Sequence, residues 1–476
     1  MQLSLSHLAV LVIAFTDLGF GQPTKQPAGS SFSSAPTLRT QGPIQHSMTR
    51  SGRESPPLPY AEEQMKWRLV HRKSCGRFLG LDGFDKHLLL AADESITVIQ
   101  TAAGLLEKVI KTPVKAWKPT QDKSKTLELG QVERKNRRED ALLAGIRSLG
   151  SLLFGIDADM TQRNVVAYAL RKVSFKRSTR YLTVPNRGSS RIYCGDKNIA
   201  REAYFKEGKP KFKDASADLL IRGGVEETSN VFVSPCQQSN GEIFGFSGMA
   251  FPATWMPGDS LTATSFNAIY LCETEFAASH HTRSYNFRAS GVSSPHPPLD
   301  LAGLMEKKIV PLLKKTTLQN ILYHLLHYTV VHEFMHMRRW DEESSPYPAN
   351  TANAQSIYTV DVPGGYGWDN CVLLGASMDK KEYPIKIEDQ PSNNADSHAI
   401  FAIGSYMLNY MSEMDEKDNP DSITLRFFTP DGKLFEKPGF NYGKGEAAHF
   451  IDNIIKTSKT PTTPTKSTSR PNSPNR

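Results

Sequence analysis

Apolar positions recur three and four residues apart in three stretches of the chain, the spacing of helices with one buried face. Ala141, Leu142, Ile146, Leu149 and Leu153 predict a helix over 141–153. Leu299 to Leu313 and Thr317 to Arg338 hold the same period and predict two more, divided by Pro311 and the Lys314-Lys315-Thr316 stretch. Short runs read as strands at Ile96 to Ile99, Tyr181 to Val184 and Asn230 to Val233. The pattern is mixed from residue 66 to 176, β-like beyond it and predominantly helical from Gly258 onward. The fold class expected is therefore α+β, mostly helical in its second half, with a smaller N-terminal region.

The ends differ from this middle. Leu8 to Phe15 is a short apolar run followed by Gly19 and Gly21, the shape of a secretory signal over residues 1–21, and too short to span a bilayer. Residues 22–65 are rich in Pro, Ser, Gly and Thr and are expected to be an unstructured leader; 457–476 read as a disordered basic tail. The dibasic pair Lys176-Arg177 marks a change of texture, which predicts 66–177 as an N-terminal region and candidate propeptide and 178–456 as the main domain. A second dibasic pair stands at Arg137-Arg138.

Composition narrows the class. With 39% hydrophobic and 22% charged residues the 476-residue chain is not wholly disordered. Of the formal charge of +8, five come from Lys456, Lys459, Lys466, Arg470 and Arg476 in the last 21 residues. A basic tail without interleaved aromatics is ordinarily solvated, so neither a nucleic-acid nor a membrane partner is expected. Cys75, Cys194, Cys236, Cys272 and Cys371 form no C-x-x-C pair. In a secreted chain they predict two disulfides and one free thiol rather than a cysteine metal site.

The chemistry lies in His332-Glu333-Phe334-Met335-His336, an H-E-x-x-H inside the third helix. Positions four apart share a helix face, so both imidazoles reach one metal ion and Glu333 sits beside its water as general base. The bland alternative is a chance pattern on an amphipathic helix. Leu322, Leu325, Leu326, Thr329 and Val330 lead into the motif without a proline and supply the buried helix that a metal site needs. A catalytic zinc takes a third protein ligand. A histidine six residues after His336 is ruled out by Glu342, and a downstream glutamate by the acids available, which are Asp361, Asp369 and Asp379. An aspartate ligand remains.

Three ordered segments carry a family resemblance: the H-E-x-x-H, then Thr359-Val360-Asp361 with Tyr366-Gly367, then Asn394-Ala395-Asp396-Ser397-His398-Ala399-Ile400-Phe401-Ala402. Together they resemble the aspzincins, the deuterolysins and peptidyl-Lys metalloendopeptidases with related fungal secreted peptidases. The resemblance spans about Asn320 to Met411. It implies a zincin-like fold, one Zn2+ per chain and endopeptidase activity on peptide or protein substrates. It implies Asp361 as third metal ligand, with Asp396 in reserve for that role, Tyr366 as the phenol that steadies the oxyanion, and Asp396 as a substrate-pocket residue. Ala399 stands where lysine-specific members carry an acid, so no lysine preference is implied. Trp340 and Trp368 are candidates for the cleft wall, with a core role as the alternative. The competing reading is a secreted binding or effector protein on an inactive metallopeptidase scaffold.

Overall fold

In the computed structural model the described residues are 67–68, 70–78, 81–112, 131–155, 160–173, 181–182, 190–195, 200–206, 209–214, 219–221, 248–255, 264–272, 300–323, 325–337, 359, 361–378, 390–440 and 446–457. The expected signal peptide (1–21) and leader (22–65), the Lys176-Arg177 junction, the run Asn230 to Val233, Trp340, Cys236 and residues 458–476 lie outside them. What is described is mostly helical, with small sheets, as an α+β reading requires.

Helix α1, Phe84–Lys111, buries Leu88, Ala91, Ala92, Ile96, Ile99, Ala102, Ala103, Leu106 and Val109, a stripe at helical spacing. The strand expected at Ile96 to Ile99 is thus corrected. Four β-branched residues read as a strand in isolation, but here they lie in the middle of a 28-residue helical period. The same helix is long and apolar enough to cross a bilayer by composition, and 56% of that stretch is buried in the protein core. Helices α2, Gln131–Phe154, and α3, Met160–Lys172, follow. The 141–153 expectation falls within α2, and Arg138 is a buried residue of that helix, hydrogen-bonded to the Pro420 and Ser422 carbonyls.

A six-stranded sheet comes next, formed by β1 Ser190–Cys194, β2 Ala200–Lys206, β3 Lys209–Asp214, β4 Leu219–Ile221, β5 Gly248–Trp255 and β6 Thr264–Leu271. Its spatial order is β1-β6-β5-β4-β3-β2, and only β1 and β6 run parallel, with Ile192 opposite Ile269 and Tyr193 opposite Tyr270. Strand β6 lies beyond Gly258, where helix was expected, and among the described residues the next helix starts at Leu301. The run Tyr181 to Val184 contributes a two-residue strand, Tyr181–Leu182, paired with Trp67–Arg68.

The helical half opens with α4 Leu301–Leu304, a π-helical turn Met305–Ile309, and α5 Val310–Leu313. The single helix expected from Thr317 to Arg338 is two: α6 Leu318–Leu322 and α7 Leu326–Met335, separated where Leu325 turns extended at φ −107°, ψ 111°. Both pieces bury the same kind of side chain in one core, so the apolar period runs through the break and conceals it. Helices α8 Gly367–Ser377 and α9 Ala395–Asp418, the hairpin β7 Leu425–Phe428 and β8 Leu434–Lys437, and α10 Glu446–Thr457 complete the chain. Thr457, expected to begin the tail, is the last residue of α10.

Among the described residues the helical core centres on α9, buried almost throughout from Ala395 to Leu408. Helices α1, α2, α7 and α8 pack around it, and α2 also meets β7 and α10. The close seats are made by glycines: a Cβ on Gly375 would run into the Leu152 carbonyl of α2. Among the described residues one core cluster therefore draws side chains from both sides of residue 178. A disulfide joins Cys75 to Cys194 with their Cα atoms 5.0 Å apart, and His71 N–H bonds the Ile192 carbonyl at 2.8 Å. Cys272 is also disulfide-bonded, and Cys371 is a buried free thiol, the pattern expected for the cysteines.

Candidate metal centre

Helix α7 ends at Met335, and His336 caps it while keeping helical backbone angles, φ −74° and ψ −10°. The i,i+4 relation therefore survives to the last turn, and the two imidazoles meet with their Nε2 atoms 3.1 Å apart. Asp361 Oδ1 lies 3.3 Å from His332 Nε2 and 3.2 Å from His336 Nε2. These three donors form a nearly equilateral triangle that could hold a metal ion. The edges are close to the roughly 3.3–3.4 Å that separates ligands around a tetrahedral ion with bonds of about 2.0–2.1 Å.

What points the donors inward lies behind them. His332 Nδ1 is 3.0 Å from Asp396 Oδ1, and His336 Nδ1 is 2.9 Å from the Thr359 carbonyl. Both partners are acceptors, so each ring can donate from Nδ1, and in the neutral imidazole that leaves the Nε2 lone pair directed into the triangle. Asp396 is itself held. Tyr328 O–H donates to Oδ1 and the Gly367 N–H donates to Oδ2. Thr359 Oγ1 donates to the Met335 carbonyl at 2.8 Å, fastening the ligand-bearing segment to the end of α7.

Asp361 and Tyr366 bracket a tight turn in which Gly365 N–H returns to the Val362 carbonyl at 2.8 Å. Gly367, at φ +77°, adopts a conformation that L side chains rarely enter, and a Cβ there would meet the Gln319 side chain and Tyr323 Oη. This accounts for the glycine after Tyr366. The Tyr366 ring stacks on His332 with centroids 6.0 Å apart, its hydroxyl bonds Asp361, and it remains 39% exposed.

Electrostatics follow from burial and crowding. Burial by itself disfavours the His332 and His336 imidazoliums, but hydrogen bonds and charge from Asp361, and from Asp396 at His332, overcome it and raise both. Burial would likewise raise Asp361, yet His336 and His332 hold it well below the usual carboxylate range. Burial pushes the Glu333 carboxyl up to about 7, against the pull of the two imidazoles. Glu333 is 4% exposed, and its Oε2 has no hydrogen-bond partner among the described residues. A buried carboxylate oxygen without a partner beside a converging donor set fits a site built for a metal and a water.

Of the residues expected from sequence, His332, Glu333, His336, Asp361 and Tyr366 are brought together. Asp396 is not in the donor triangle; it is 2% exposed and both its oxygens are occupied, one by His332 and one by the Gly367 N–H. Trp368 belongs to the core, fully buried with Nε1–H donating to the Pro430 carbonyl at 2.9 Å. Sequence reading gave no role to Asn394, Thr359, Tyr328 or Cys371. Tyr328 stands four residues before His332, a spacing that could have shown it on the same helix face. No protein-family model, curated protein or solved structure matches this chain.

Proposed function

We propose that this chain is a secreted zinc endopeptidase of the aspzincin kind, with His332, His336 and Asp361 as metal ligands on a zincin-like fold. The observation that carries the reading is the donor triangle with the unpartnered Glu333 carboxylate beside it. Two imidazole nitrogens and one carboxylate oxygen suit zinc, which accepts such sets with a fourth position left open. The Cys75–Cys194 disulfide agrees with export to an oxidising compartment.

A zinc ion held there supplies Lewis-acid polarisation of water and of the scissile carbonyl. The protein's own groups handle protons and charge. Glu333 takes a proton from the attacking water as its oxygen bonds to the carbonyl carbon, then gives that proton to the amine nitrogen as the C–N bond breaks. Tyr366, its ring stacked on His332 and its hydroxyl bonded to Asp361, exchanges that partner for the developing oxyanion and donates to it. The catalytic unit reaches back to α1, because that helix packs on α7 and α9.

The test is hydrolysis of unfolded casein and short peptides by the purified chain, with and without a chelator, beside Glu333→Gln. Chelator-sensitive cleavage absent from the variant is expected. A zinc-loaded wild type that cleaves neither substrate would favour the binding-protein reading.

A further inference from the structure

The turn between Asp361 and Tyr366 is held by one side chain from the start of α9. Asn394 Oδ1 accepts the Val362 N–H at 3.3 Å, and Asn394 Nδ2 donates to the Gly365 carbonyl at 2.7 Å and to Ser397 Oγ at 3.0 Å. Asn394 is 1% exposed, and no other residue type of its size offers a donor and an acceptor on adjacent atoms. From below, the buried Cys371 thiol donates to the same Gly365 carbonyl at 3.0 Å. Burial and the nearby Asp396 charge raise that thiol well above its ordinary range, which keeps it protonated as a donor. The two ends of the turn that Asn394 grips are each one residue from a functional group, Val362 from Asp361 and Gly365 from Tyr366.

We infer that Asn394, supported by Cys371, is the positioning residue of this centre and sets the metal affinity by fixing Asp361 and the oxyanion donor by fixing Tyr366. The inference rests on the metallopeptidase reading and assigns a role in it to the first residue of the N-A-D segment and to the odd cysteine. Neither residue touches the donor triangle. Asn394 acts through the turn, so its effect on metal binding must pass through Asp361.

That route gives the test a specific form. Zinc affinity of the full chain is measured by competition with a chromogenic chelator for wild type, Asn394→Ala, Asp361→Ala and the double variant. Asn394→Ala should weaken zinc binding about 10-fold to 100-fold, the usual cost of losing an outer support. The same change in the Asp361→Ala background should cost little more, because the ligand it positions is already gone. Gly365→Ala reaches the same contact from the turn side, since a Cβ there would lie 2.9 Å from Asn394 Nδ2, and should act in the same direction should Asn394→Ala fail to fold. Full wild-type affinity in Asn394→Ala or, where that variant does not fold, in Gly365→Ala overturns the inference. So does an equal loss with and without Asp361, which would mark a general structural role. A wild-type chain with no zinc affinity overturns the metallopeptidase reading as well, whereas the other two results leave it standing.

Discussion

His332 and Asp396 lie 64 residues apart in the chain and share a hydrogen bond of 3.0 Å between Nδ1 and Oδ1. The other Asp396 oxygen holds the Gly367 backbone N–H, next to Tyr366. One buried carboxylate therefore orients an imidazole on α7 and anchors the residue that follows the phenol. Its charge also raises the basicity of the ring that faces the metal position.

Asp396→Asn should accordingly weaken zinc binding about 10-fold to 100-fold while the fold is kept. Chelator competition on the purified variant measures this. Unchanged affinity would remove Asp396 from the support of His332.

Glu333→Gln should abolish peptide hydrolysis and retain zinc, because the carboxylate is needed as a base and not as a ligand. The pH dependence of stability gives a second handle on the metal-stripped protein. Burial raises the folded-state carboxyl from 4.5 to about 7, so the folded chain holds the proton more tightly than the unfolded chain. The stability tied to that proton is present below about 4.5 and is lost as pH rises through about 7. Melting temperatures of the stripped wild type should fall relative to Glu333→Gln across that window. A constant difference between the two proteins would contradict the raised value.

The ligand-bearing motif was legible in sequence because its geometry is local: four residues on one helix fix the relation of His332 to His336. Which of Asp361 and Asp396 joins the two imidazoles in the donor triangle was not, since it depends on how a turn and the start of α9 return to α7 in three dimensions. The strand expected at Ile96 to Ile99 came from too short a window, and the surrounding apolar stripe, Leu88 to Val109, decides for helix. The boundary at residue 178 followed a change of texture, whereas the core is defined by contacts among α1, α2, α7 and α9 that no local pattern displays. Asn394 carried a motif but no visible chemistry, as its partners are backbone groups some thirty residues upstream.

Glu94 of α1 accepts from His327 Nε2 of α7 at 2.7 Å and from the Leu301 N–H at 2.7 Å. Glu94→Ala leaves both donors without that acceptor, at about 1–3 kcal/mol for each buried group. The urea midpoint should drop markedly, and a chain lacking residues 66–177 should not fold, since α1 and α2 leave with it. A soluble, cooperatively melting 178–476 fragment would support the propeptide reading.

Gly375→Ala should destabilise the chain by about 1–3 kcal/mol, because the new methyl meets the Leu152 backbone carbonyl and not a flexible side chain. Thermal melts of the full chain measure it. A neutral effect would mean that α2 and α8 are less closely seated than described.

The central claim is that His332, His336 and Asp361 hold one metal ion, and the direct measurement is metal content by elemental analysis of the purified full chain beside Asp361→Ala. One zinc per chain in the wild type, with zinc strongly depleted in Asp361→Ala, is the expected result. A wild type that carries no zinc after loading, or an Asp361→Ala protein that retains a full equivalent, would contradict it.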